Sequence, residues 1–128
     1  TRSLRLFGAY TLLESEITKS NTPAEVGNRF INTPRHSMSL WSSYSVRRLT
    51  AGGGVRFIDS RFGNTANTRR VDSYWTLDAL AQYTVNKHLD LRVNLYNLND
   101  AYYFERLGGG HLVPGAARSA MVTTNFRF

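Results

Sequence analysis

Apolar and polar residues alternate with a period of two over six stretches of this 128-residue chain. These stretches cover about residues 3–18, 36–46, 49–61, 72–85, 88–98 and 118–128. In the last one, Val122, Phe126 and Phe128 fall on one face, and Asn125 and Arg127 fall on the other. A period of two is that of a β-strand, whose successive side chains point to opposite faces. The chain is therefore predicted to be all-β, with about six long strands.

The connections between these strands alternate in length. Turn-forming residues fill long segments at about 19–35, 62–70 and 99–117, whereas only Arg47-Arg48 and Asn86-Lys87 join the other strands. Bacterial outer-membrane barrels combine short periplasmic turns with long extracellular loops, and aromatic girdles mark both membrane interfaces. Tyr44, Tyr83 and Phe126 are expected near the short-turn side, with Trp75 and residues 102–104 at the other. This pattern predicts an antiparallel meander within a transmembrane β-barrel.

The alternation also assigns the two faces of the sheet. Apolar residues such as Leu40, Leu77 and Val93 are expected to face lipid, and a lumen polar cluster is expected to contain Asp78, Asp90, Arg92 and Asn94. Antiparallel partners share a face, which predicts a two-residue turn at Arg47-Arg48 and a three-residue turn at 85–87. The latter would place Asp78 opposite Asn94, and Gln82 opposite Asp90. The run Gly52-Gly53-Gly54 predicts a bend or a close approach by another segment.

Composition narrows the function classes. The net charge is +7, from 16 basic and 9 acidic residues, which raises nucleic-acid binding as an alternative. The arginines are dispersed and form no run longer than two, so no nucleic-acid partner is expected. There is no cysteine, which excludes disulfides and cysteine-based metal sites. The three histidines, His36, His88 and His111, lie on different segments and show no catalytic arrangement, so no enzyme and no metal site are predicted.

Several stretches carry a family resemblance. Residues 91–103, LRVNLYNLNDAYY, resemble the penultimate strand and following loop of TonB-dependent outer-membrane receptors. Residues 71–83 resemble the preceding strand of those receptors, and residues 33–44 are similar to another of their strands. Residues 109–118, followed by a strand that ends in phenylalanine, resemble the ferric-siderophore branch and its ferric-catecholate receptors.

The resemblance implies a large barrel with a plugged lumen, such as the 22-stranded transporters. Residues 1–128 would then form the C-terminal barrel segment, with the plug domain and the remaining strands outside this chain. Such receptors lie in the outer membrane of Gram-negative bacteria and import ferric siderophores with energy from TonB, which acts through the plug. The iron–siderophore complex is the transported ligand, and no cofactor is expected. The implied partners also include outer-membrane lipid, lipopolysaccharide, and the barrel-assembly machinery, which would read Phe126 and Phe128 as its signal.

The long loops supply the candidate ligand contacts. They are cationic or aromatic residues: Arg29, Arg35, Arg69, Arg70, Tyr102, Tyr103, Arg106 and His111. Ferric catecholates are anionic, so guanidinium and aromatic groups suit them. The same arginines also suit lipopolysaccharide phosphates, and loop aromatics also anchor membrane interfaces. Two further classes are alternatives, a passive porin and an outer-membrane enzyme. The family resemblance disfavours the porin, and the lack of a catalytic arrangement disfavours the enzyme.

Overall fold

The computed structural model describes residues 2–108 and 110–128, so Thr1 and Gly109 lie outside the described residues. Within this part, six long strands form one antiparallel sheet, and each pairs with the next in the chain. They are β1 (Arg2–Leu12), β2 (His36–Val46), β3 (Leu49–Ile58), β6 (Tyr74–Asn86), β7 (Leu89–Tyr96) and β10 (Ser119–Phe126). The predicted all-β antiparallel meander is confirmed. The sheet is not closed into a barrel within these residues, because β1 and β10 are its two edges.

Short elements occupy the long loops. β4 (Arg61–Phe62) pairs with β5 (Arg70–Val71), and β8 (Phe104–Gly108) pairs with β9 (His111–Pro114). A single 3₁₀ turn covers Pro23–Glu25 in the described part of the chain. No helix among the described residues is both long enough and apolar enough to cross a bilayer.

The strand register confirms the predicted facing. Leu40 pairs with Val55, which in turn pairs with Leu77, so apolar side chains of successive strands share one face. That face is uncovered, and side chains such as Leu6 and Val122 are 69% and 70% exposed. The buried apolar residues of the described chain are Ile17, Tyr103 and Leu107, all of them in loops. A continuous apolar sheet face without a packing partner is the lipid-facing surface of a barrel wall.

The glycine run lies in β3, where Gly54 is the partner of Trp41. A Cβ atom at Gly54 would lie 2.3 Å from Cε3 of Trp41 and 2.8 Å from the Leu40 carbonyl oxygen. The expected close approach is therefore made by an indole ring on the polar face of the sheet. Glycine is required at this position because any side chain would occupy the volume of that ring.

Several predicted strand bounds were too long. The first strand was expected to reach Thr18 but ends at Leu12, because its partner β2 begins opposite Leu12 at His36. Beyond that point the Leu13 N–H donates to the Arg35 carbonyl and the chain leaves the sheet as a loop. The third strand was expected to reach Arg61 but ends at Ile58, and Arg61 enters the β4–β5 hairpin instead.

The register across the two short turns was half right. Val46 pairs with Leu49, so the two-residue turn at Arg47-Arg48 is confirmed. Between β6 and β7 the turn is Lys87-His88, and the extra residue is a bulge between Thr84 and Asn86. The bulge preserves the predicted parity but moves the register by two residues, so Asn94 lies opposite Leu80 and Gln82 lies opposite Arg92. The predicted pairs Asp78 with Asn94, and Gln82 with Asp90, are wrong.

Candidate functional site

Three long loops leave the same end of the sheet, because they are the first, third and fifth connections of an antiparallel meander. The first loop covers residues 13–35, the second covers residues 59–73 and the third covers residues 97–118. All the buried apolar residues of the described chain lie in these loops: Ile17 in the first, and Tyr103 and Leu107 in the third. The loops therefore bury apolar side chains of their own, whereas the apolar face of the sheet is exposed.

Side-chain amides join the first loop to the second. The Asn67 Oδ1 accepts the Arg29 N–H at 2.8 Å, and the Asn67 Nδ2 donates to the Arg29 carbonyl at 2.9 Å. The Asn28 Nδ2 donates to the Thr65 carbonyl at 2.9 Å. The Arg29 guanidinium lies over the Phe62 ring, 5.7 Å from its centroid. These contacts fix Arg29, one of the predicted ligand contacts, against the second loop.

Glu25 adds an acidic contact between the first loop and the second. Its Oε1 accepts from the Thr65 Oγ1 at 2.5 Å, and its Oε2 accepts from the Ser20 Oγ at 2.8 Å. The Thr65 hydroxyl, followed by the Ser20 hydroxyl, holds the pKa of the Glu25 carboxyl below its ordinary value of 4.5, against a smaller opposing effect of desolvation. Both hydrogen bonds favour the charged carboxylate.

The contact between the first and second loops should therefore weaken in acid. A carboxyl whose pKa is lowered in the folded state stabilises that state above its unfolded pKa, and this contribution is lost as the pH falls through the lowered value. We expect amide hydrogen exchange at residues 25–28 and 64–67, corrected for its intrinsic pH dependence, to rise as the pH falls below the ordinary carboxyl pKa of 4.5 and through the lowered pKa of Glu25. Glu25→Gln should abolish the change, and Glu16→Gln in the same loop is the control. An equal pH response in Glu25→Gln would contradict the assignment.

Arg61 joins all three loops. Its side chain is buried, with the residue only 4% exposed. Its Nη1 donates to the Asn32 Oδ1 of the first loop at 2.9 Å and to the Glu105 carbonyl of the third loop at 3.1 Å. Its Nη2 donates to the Phe104 carbonyl, also in the third loop. The guanidinium lies over the Tyr74 ring, 5.7 Å from the centroid, and Tyr74 stacks on Tyr103 at 4.3 Å.

Arg61 was not predicted as a residue of the site, because the third strand was expected to end at this residue. The available signal was the turn-forming segment that begins at Gly63-Asn64, which lies between the β-prone pairs Arg61-Phe62 and Arg70-Val71. That arrangement is typical of a hairpin. The β4–β5 hairpin places Arg61 within reach of the first and third loops.

The other predicted arginines of the first two loops have different surroundings. Arg35 is exposed and forms an ion pair with Glu14 at 2.7 Å. An open cleft of about 420 Å³ lies beside this pair and also borders Arg29. Arg70 donates to the Ser60 Oγ at 2.9 Å, and Arg69 is exposed on the same loop. The structure thus gathers Arg29, Arg69 and Arg70 around the second loop, while Arg35 lies at the base of the first.

The third loop separates its predicted contacts into buried and exposed residues. Tyr102 is 81% exposed, whereas Tyr103 is only 8% exposed because its ring packs between Tyr74 and Gly115. Arg106 pairs with Val113 in the β8–β9 hairpin, and Gly108 pairs with His111. Arg106 and His111 consequently share one exposed face of the hairpin, opposite to the face that buries Leu107. Among the described residues, no hydrogen bond joins this pair to the arginines of the other loops.

The predicted lumen residues share the polar face of the sheet but form separate local pairs. The Asp78 Oδ1 accepts the Asn97 N–H at 2.9 Å. Arg92 donates to the Gln82 Oε1 from Nη2 at 2.7 Å and from Nε at 3.1 Å. Asp90 pairs with Arg127 at 2.5 Å. Asn94, the fourth, lies opposite Leu80 and Met121.

The C-terminal phenylalanines follow the predicted alternation as far as the strand extends. Phe126 is 64% exposed and pairs with Leu89 on the apolar face. Phe128 lies beyond the end of β10. The ladder in this part of the sheet is extended by the Arg127 N–H, which donates to the His88 carbonyl at 2.8 Å.

Comparison with known proteins identifies the architecture. Residues 2–98 match the family model described as TonB dependent receptor-like, beta-barrel. The whole chain is 36% identical to the probable TonB-dependent siderophore receptor PiuA of Acinetobacter baumannii, of which it covers 19%. It is 31% identical over its whole length to the catecholate siderophore receptor Fiu of Escherichia coli K12, of which it covers 18%.

The solved structures agree with these sequence matches. The crystal structure of the siderophore receptor PiuA from A. baumannii superposes with a TM-score of 0.87 at 36% identity. The superposition covers 96% of this chain and 19% of the receptor. The chain thus spans about a fifth of the length of the relatives that it matches.

Proposed function

Because this chain belongs to the TonB-dependent receptor-like β-barrel family, we propose that it forms part of the wall and the extracellular loops of a receptor that imports ferric siderophores. The chain belongs to an outer-membrane protein of a Gram-negative bacterium, as its relatives and its lipid-facing sheet indicate. The transported ligand is an iron–siderophore complex, and the catecholate class is favoured by the likeness to Fiu. The matched relatives are receptors, and we assign the chain no enzymatic role.

The proposal includes the domain assignment. Residues 1–128 are assigned to the C-terminal barrel segment of a longer receptor, whose plug domain contacts TonB and couples uptake to energy. Two observations support this assignment: the chain covers 19% of PiuA, and its six-stranded sheet is two strands short of the smallest bacterial barrels, which have about eight. The open edges of β1 and β10 would pair with the other strands of that barrel.

The observation that carries the function is the placement of exposed cationic and aromatic side chains on ordered loops at one end of a lipid-facing sheet. The set proposed to meet an anionic iron chelate has Arg106, His111 and Tyr102 on the third loop, with Arg69 and Arg70 on the second. Tyr103 is buried in the loop packing and is left out of this set. Charge-assisted hydrogen bonds from guanidinium groups suit catecholate and carboxylate oxygens.

Further partners follow from the surfaces. The exposed loop arginines also suit the phosphates of lipopolysaccharide, and the apolar sheet face suits outer-membrane lipid. The barrel-assembly machinery is proposed to read the C-terminal strand with Phe126 and Phe128. A passive porin would use the polar sheet face equally well, but the family match favours a receptor.

Replacing Arg106 and His111 together by alanine in the complete receptor should weaken ferric-catecholate binding. Each charge-assisted contact contributes about 1.5–3 kcal/mol, so the loss is about ten- to hundredfold in affinity per contact. Binding is measured by titration of the purified receptor, and assembled barrel is measured by its heat-modifiable mobility on gels. Barrel content should stay unchanged, because both side chains are exposed on the hairpin.

The matched control is Lys87→Ala with His88→Ala, which removes one cation and one histidine at the short-turn end. It should leave binding intact.

Deleting Phe128 should lower the amount of assembled barrel without changing the affinity of what assembles. Unchanged binding in the Arg106 and His111 double variant, or an equal loss in the control, would place the ligand contacts elsewhere.

A further inference from the structure

We propose that Arg61 is a positioning residue that locks the three long loops into one unit, so that the exposed contact residues are pre-arranged before any ligand arrives. The inference about loop order rests on the contacts of Arg61 alone. Its consequence for ligand capture rests on the function proposed above.

The first observation is how Arg61 is buried. The residue is 4% exposed, and among the described residues no carboxylate lies within ion-pair distance of its guanidinium. Its charge is met by two main-chain carbonyl oxygens and one amide oxygen. Its Nε has no hydrogen-bond partner among the described residues. A buried cation without a counter-ion is costly to the fold. The hydrogen bonds of Arg61 to the first and third loops offset part of this cost and give the charge a role that a neutral side chain would not fill.

The second observation is the geometry of the fork. The guanidinium donates to the carbonyls of consecutive residues, Phe104 and Glu105, so it clamps the start of β8 at two points. In the other direction it holds the Asn32 Oδ1, and the Asn32 N–H donates back to the Phe62 carbonyl at 2.8 Å. Asn32 has a positive φ of 55°, a conformation that asparagine tolerates better than most residues. One planar group thus ties the first loop to the third through the second.

The third observation extends the connection to the far side of the third loop. The guanidinium lies over the ring of Tyr74, which stacks on Tyr103. The Tyr103 ring lies against Gly115, where an added Cβ atom would be 2.0 Å from Cε2. The Gly115 N–H donates to the Tyr103 carbonyl at 2.8 Å. Both ends of the β8–β9 hairpin, which carries Arg106 and His111, are therefore held through contacts that begin at Arg61.

A lysine is not equivalent to arginine at this position. Its ammonium group is a single point of charge that lacks both the planar fork and the face that stacks on tyrosine. Such a group would meet some of the three oxygen acceptors without holding the loops in the same relative positions. Arg61→Lys should consequently resemble Arg61→Met rather than the parent protein.

The test is amide hydrogen exchange on the complete, ligand-free receptor in detergent. In Arg61→Met, exchange at residues 28–33 of the first loop and 103–106 of the third should rise by about ten- to hundredfold. Arg69→Met is the matched control, since it removes the same charge from the same loop but leaves the contacts of Arg61 in place. Heat-modifiable mobility monitors barrel assembly in parallel.

A second variant keeps the inference testable if Arg61→Met assembles poorly. Asn32→Gly preserves the positive φ but removes the first-loop acceptor, so exchange should rise in the first loop and stay unchanged at residues 103–106. A rise confined to the second loop in Arg61→Met, or an equal rise in Arg69→Met, overturns the inference. Because no ligand is present, these outcomes are independent of whether the receptor takes up ferric siderophores.

Discussion

Arginine in place of Val93 should prevent most of the complete receptor from assembling in the membrane. Val93 lies within β7 and pairs with Ala81 and Val122 on the apolar face. An arginine on the lipid face near the bilayer midplane costs about 2–4 kcal/mol. The expected result is a several-fold loss of heat-modifiable barrel after refolding into lipid vesicles, with a matching fall in the free energy of unfolding.

The neighbouring residue supplies the control. Asn94 is one position further along β7 and lies opposite Leu80 and Met121, on the polar face. Asn94→Arg introduces the same side chain at nearly the same depth but directs it away from lipid. It should leave assembly close to that of the parent protein. A larger loss from Asn94→Arg than from Val93→Arg would show that the faces have been assigned the wrong way round, and equal losses would show that the effect does not depend on the face.

Alanine in place of Gly54 should destabilise the sheet by about 1–3 kcal/mol, the usual cost of forcing atoms into filled space. The new methyl group would meet the Trp41 ring at 2.3 Å and the Leu40 carbonyl oxygen at 2.8 Å. Either the indole must leave its rotamer or the two strands must separate. The free energy of unfolding in urea, measured in lipid vesicles, reports the cost.

Gly53 is the matched control, because it belongs to the same run but faces the other side of the sheet. A Cβ atom there would have the Asp78 carbonyl oxygen as its nearest neighbour at 3.4 Å. Gly53→Ala should therefore change stability little. Combining Gly54→Ala with Trp41→Ser should recover part of the loss, since it removes the ring but leaves the Leu40 carbonyl in place. Purely additive effects would contradict an indole clash.

The alternation of apolar and polar residues was sufficient to predict the six strands of the barrel wall. The second strand, His36–Val46, was placed at its observed bounds, and the faces of all six strands follow from a period of two. Lipid enforces this pattern because each wall residue meets either hydrocarbon or the interior of the barrel. The parity of the short turns followed from the same pattern.

The remaining errors concern features that alternation does not encode. The bulge at the β6–β7 turn kept both faces correct while moving the register by two residues, so the faces could not reveal it. Arg61 and Tyr103 owe their burial to contacts that are distant in the sequence, over separations of 43 residues from Arg61 to Phe104 and 29 from Tyr74 to Tyr103. Such long-range contacts are decided by packing among the loops, which no local pattern records.

The apolar side chains of the sheet and those of the loops respond to different solvents, lipid for the sheet and water for the loops. The wall presents its apolar residues to hydrocarbon, whereas Ile17 and Leu107 are buried from water within the loops. Water drives the burial of only the second group, so urea and cold, which weaken that drive, act first on the loops. The region proposed to capture ligand would accordingly lose its order while the wall beneath it still holds.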